Sequence, residues 1–107
     1  MIEQKKCGLT ENTQKKLITV FKKYSEIERA IIYGSRAKGN YKPGSDIDIT
    51  ICAPKMNLSD LLKIENQIDD LLLPYKIDIS LYHHIDNTEL IDHIQRVGLL
   101  LYLSNEI

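Results

Sequence analysis

The sequence predicts a single α/β (α+β) domain, a sheet with helices packed on one face, and three observations predict it. Two stretches, 46–53 and 75–82, alternate apolar and polar residues as strands do. Longer stretches before, between and after them place apolar residues at helical spacing. The length of 107 residues, 43% hydrophobic and 27% charged, supplies material for one core. One domain is therefore expected over residues 1–107, with its core over about 10–103.

Residues 1–9 show no period and are expected to begin as a loose tail. Thr10 or Thr13 supplies a helix cap, and Leu17, Ile18, Phe21 and Tyr24 form the apolar stripe that follows, with Lys15, Lys16, Lys22 and Lys23 largely opposite. Arg29–Tyr33 reads as a short buried strand ended by Gly34, whose bare backbone permits a sharp turn into a short helix at Ser35. Residues 39–45, with two glycines and a proline, form a loop. In the next strand Asp46, Asp48, Thr50 and Cys52 point one way while Ile47, Ile49, Ile51 and Ala53 point the other. Asn57 with Asp60 predicts the capped start of a second long helix, whose stripe is Leu61, Ile64, Ile68, Leu71 and Leu72, stopped by Pro74. Ile77, Ile79 and Leu81 form the core side of a third strand and Lys76, Asp78, Ser80 and Tyr82 its other side. Asp86 with Glu89 resembles a capping box for a last helix carrying Leu90, Ile91, Ile94 and Val97, with Gly98 as its stop. The apolar tail 99–103 is expected as a final strand or a segment packed over the core.

Composition narrows the function. A formal charge of −1 removes any global electrostatic argument for nucleic acid or an anionic membrane. Cys7 and Cys52 lack the spacing of a metal knuckle or redox pair and are expected as thiols. No apolar run approaches the length of a membrane span and the amino terminus lacks a signal-like apolar region, so a cytoplasmic location is expected.

The chemistry lies in Gly34–Ser35 and the acids. Backbone amides at the turn can donate to phosphate oxygens. Alternate residues of a strand lie roughly 6.5–7 Å apart on one face. Asp46 and Asp48 therefore can converge on divalent cations, which in two-metal phosphoryl transfer sit about 3.5–4 Å apart. Asp78 joins them if its strand lies alongside, and can serve as base for an incoming hydroxyl. Hard oxygen ligands completed by phosphate point to Mg²⁺. His83 and His84 are read as a loop pair, His93 as a partly exposed surface residue, and Tyr33 and Tyr82 as flanking the site.

Gly34-Ser35-Arg36-Ala37-Lys38-Gly39 with Ser45-Asp46-Ile47-Asp48-Ile49 resembles the signature of the DNA polymerase beta-like nucleotidyltransferase superfamily. The short length and the closing run from Ile94 to Tyr102 are similar to its minimal nucleotidyltransferases (MNT). The resemblance implies the nucleotidyltransferase fold, with a small mixed sheet. It also implies ATP as nucleotide substrate, nucleotide contacts from Gly34 and Ser35, charge neutralisation by Arg36 or Lys38, and Asp46, Asp48 and Asp78 as a catalytic, Mg²⁺-binding triad. Minimal members are often antitoxins paired with a HEPN protein, to which they are thought to transfer AMP at a tyrosine, so a HEPN-type partner is expected. Masking of that partner without catalysis, or transfer to a small molecule or RNA, stay open as alternatives.

Overall fold

The computed structural model describes residues 2–105. Along them run α1 (Gln4–Cys7), α2 (Glu11–Lys22), β1 (Arg29–Tyr33), α3 (Ser35–Lys38), β2 (Ile47–Cys52), α4 (Leu58–Asp69), β3 (Ile77–Leu81), a 3₁₀ turn (Tyr82–His84), α5 (Thr88–Val97) and β4 (Leu99–Leu103). The strands form one mixed sheet in the order β3-β2-β1-β4. β1 runs antiparallel to β2 and β4, whereas β2 and β3 are parallel and joined through α4.

The isoleucine alternation sets the orientation of this sheet. Ile47, Ile49 and Ile51 of β2 and Ala30 and Ile32 of β1 have no exposed surface, and they share one cluster with Leu17 and Phe21 of α2 and Leu61, Ile64 and Ile68 of α4. Each buried side chain of this kind is worth about 1.5–3 kcal/mol, so a slip of one residue in register would forfeit the core. The intervening residues are thereby forced onto the opposite face. On that face α5 covers only part of the sheet. Ile94 is buried there, and a Cβ on Gly98 would lie 2.6 Å from Cγ2 of Ile31. Thr50 and Cys52 consequently lie buried on the polar side of β2, while the end carrying Asp48 stays half-open.

Three local expectations are corrected. The amino-terminal segment is docked: α1 brings Cys7 and, through the turn at Gly8, Leu9 fully into the core. The buried Gln14 amide holds the segment by donating to the carbonyls of Ile2 and Leu9 at 2.7 and 3.1 Å and accepting from the Ile2 amide at 3.0 Å. A four-residue helix is too short to show a period, so the sequence carries no signal for it. Helix α4 starts with the expected Asn57–Asp60 capping box but ends at Asp69. Leu72 beyond it adopts φ 53° and is 87% exposed, so it leaves the apolar stripe. The cap of α5 is Asn87, which accepts from the amides of Glu89 and Leu90, rather than Asp86. The tail is a strand, pairing with β1 as a sheet edge. Among the described residues no helix is long and apolar enough to cross a membrane.

Candidate active site

The strand register builds the site. Tyr33, the last residue of β1, pairs with Asp48 of β2, and Asp48 pairs with Asp78 of β3. Paired residues point to the same face on strands about 4.8 Å apart, so the three side chains form a row across the sheet. Asp46 lies immediately before β2, exposed and two residues from Asp48. Asp78 is exposed and Asp48 half-buried. The Asp48 carboxyl is pushed above its ordinary value, first by burial and then by the charges of Asp78 and Asp46. All three acids therefore crowd one electrostatic neighbourhood, whose repulsion a bound cation would relieve. Among the described residues no three His, Cys, Asp or Glu side chains close around a metal on their own. The hard oxygen donors fit Mg²⁺ with phosphate oxygens completing its shell.

The turn after β1 is fitted to the same point. Gly34 adopts φ 76° and ψ −152°, and a Cβ there would collide with the carboxylate of Asp48, 3.3 Å from Cγ. Both the backbone conformation and the close approach require glycine. Ser35 follows, half-buried, as the first residue of α3. The backbone amide of Gly34 is already engaged: it donates to Nε2 of His93 at 3.0 Å.

His93 is the residue that sequence reasoning missed. It is half-buried on α5, and its ring meets Tyr33 edge-on with centroids 6.3 Å apart. It stands beside the buried Ile94, at the border of the apolar stripe, where periodicity says nothing of contacts 59 residues away in sequence. Tyr33 forms the floor of the site. Its phenol is raised in pKa by burial above all, with the charges of Asp48 and Asp78 adding to the effect and the neighbouring Ser80 hydroxyl opposing it. The Tyr82 hydroxyl accepts from Gln95 at 3.2 Å, and His83 and His84 are exposed on the 3₁₀ turn, ring to ring.

Arg36, expected from the resemblance to neutralise the nucleotide's charge, is placed inside the fold. It is 2% exposed, and its guanidinium donates to the Ser45 carbonyl from Nε and Nη2 at 3.2 and 2.8 Å and to the Cys7 carbonyl from Nη1 at 2.9 Å. The rings of Tyr41 and Tyr75 stack on it at 5.2 and 4.9 Å. These contacts clamp the loop that delivers Ser45 and Asp46 to β2 and tie it to α1. A cavity of about 700 Å³ opens beside this clamp, lined by Gly8, Tyr41, Gly44 and Tyr75 and by none of the acids. Lys38, at the end of α3, is exposed.

Known proteins resemble this chain in sequence and in fold. The chain is 32% identical over 89 residues to a provisionally named protein adenylyltransferase of Methanocaldococcus jannaschii, covering 80% of this chain and 88% of that protein. A chain of a toxin–antitoxin complex with AMP-PNP superimposes with a TM-score of 0.70 at 18% identity, over 87% of this chain and 75% of that one. A chain from the complex of the tri-AMPylated Shewanella oneidensis HEPN toxin with its MNT antitoxin gives 0.67 at 15% identity, over 92% and 76%. Identities that low speak for the fold alone. The pattern of the family described as polymerase beta, nucleotidyltransferase, matches residues 15–107, a span that takes in the Gly34–Ser35 turn and all three acids, and the chain belongs to that nucleotidyltransferase family.

Proposed function

We propose that this chain transfers AMP from ATP, with Mg²⁺, to a hydroxyl of a protein partner, a tyrosine of a HEPN-type toxin, and so acts as an antitoxin in the cytoplasm, where ATP is available. The observation that carries the reading is the row of Asp48 and Asp78 across paired strands with Asp46 at its edge, facing the Gly34–Ser35 turn. Asp46 and Asp48 would hold the metal, with Asp78 completing the carboxylate set. Bound Mg²⁺ supplies charge neutralisation of the triphosphate and of the departing pyrophosphate. Ser35 donates to the phosphates, and the missing side chain of Gly34 lets them approach the carboxylates. Asp78 accepts the proton of the acceptor hydroxyl as its oxygen bonds to the α-phosphorus; the α–β bridging bond breaks and pyrophosphate leaves. The protein acceptor is supported by the name of the archaeal relative and by the AMPylated toxin in the complex with a similarly folded antitoxin.

The test is intact-mass spectrometry of the protein that co-purifies with this chain, after incubation with ATP and Mg²⁺, for wild type and Asp48→Asn. A gain of one or more AMP units only with wild type is expected. A stable complex with no mass change in either sample would instead make the chain a masking subunit.

A further inference from the structure

We infer that His93 is the positioning residue of the phosphate-binding turn: it holds the Gly34 amide for the protein and leaves Ser35 to donate to the nucleotide. Gly34 has no side chain with which to fix its own peptide, and its conformation is one that no neighbouring β-strand enforces. Gly34 is half-buried, and an amide donor left unpaired there would be costly. His93 meets that amide at 3.0 Å.

The imidazole is itself held. Tyr33 packs edge-on against the ring, with planes 79° apart, and the next residue, Ile94, anchors α5 by burial on the sheet. An acceptor Nε2 requires the neutral ring with its proton on Nδ1. The last helix, distant in sequence from the signature motif, thereby sets the peptide plane from which the motif starts. The acids and the turn form one unit with α5.

Two readouts test this. The first does not depend on transferase activity. In ¹⁵N-labelled wild-type protein the His93 ring should show an unprotonated Nε2, and the Gly34 amide should exchange slowly with solvent. On adding Mg²⁺ and AMP-PNP, the Ser35 resonance should move while the Gly34 amide stays protected. In His93→Ala the Gly34 amide should shift and lose protection. The second readout rests on the proposed function: His93→Ala should raise the KM for ATP about tenfold, the size of one lost hydrogen bond, with a smaller change in kcat. His93→Gln, whose Oε1 reaches the position of Nε2, should restore it. A Gly34 amide unchanged in His93→Ala overturns the inference, as does a nucleotide that takes that amide and frees His93. So does His93→Gln behaving like His93→Ala. A chain that transferred no nucleotide would refute the proposed function while the amide readout still decided the role of His93.

Discussion

The fit between Gly34 and Asp48 makes Gly34→Ala the most informative single change. At φ 76° and ψ −152° the backbone lies in a region nearly closed to residues with a side chain, at a cost of about 1–3 kcal/mol. The added Cβ would also land on the Asp48 carboxylate, which must then move. Taking about 2 kcal/mol, and about 4–8 °C per kcal/mol for a domain of this size, the Tm should fall by about 8–16 °C. A displacement of about 1 Å at a reacting group costs on the order of 10²-fold in rate, so nucleotidyl transfer should drop by about that factor. Gly39→Ala separates the two effects, because Gly39 has φ 82° but nothing within 4 Å of its Cβ position. It should lose about 1–2 kcal/mol for backbone strain and keep transfer activity. In the double variant Gly34→Ala/Asp48→Ala the collision partner is gone, so part of the lost Tm should return. Differential scanning fluorimetry with a pyrophosphate-release assay reads all four proteins. Equal losses of stability and of activity in Gly34→Ala and Gly39→Ala would refute the argument that Gly34 is there for Asp48.

Asp48 and Arg36 give two further expectations. Because burial and its neighbouring acids raise the Asp48 pKa, the metal-free folded state binds its proton more tightly than the unfolded chain. Stability from this group is therefore lost as pH rises from the ordinary carboxylate value through the raised one. Asp48→Asn should remove that dependence and raise the metal-free Tm by a few degrees at neutral pH, while abolishing transfer; a lower Tm would refute the crowding of charge. Arg36→Lys keeps the charge but loses the fork and the stacking, and should cost about 2–4 kcal/mol in thermal unfolding. Weakened ATP binding at unchanged Tm would instead return Arg36 to the phosphates.

Whereas β4 stayed open until its pairing with β1, the sequence alone determined β1, β2 and β3, the two faces of β2 and β3, and the candidate acids. Their signals are local: Ile47, Ile49 and Ile51 against Asp46 and Asp48 is a period of two, and a period survives in any single stretch of chain. The Asn57–Asp60 capping box and the glycine stop of α5 are local in the same way. What only the tertiary structure decided is who meets whom. The parallel register that sets Asp78 opposite Asp48 was a condition in the sequence and became a fact through the sheet order. Arg36, beside the motif, faces inward because carbonyls from Cys7 and Ser45 and two tyrosine rings surround it there, contacts that closeness to Ser35 in the chain does not report. His93 acquires its place from the packing of α5 on the sheet. Periodicity tells which side of an element is buried; which partner fills the other side depends on how distant elements dock, and that docking is decided by the whole core at once.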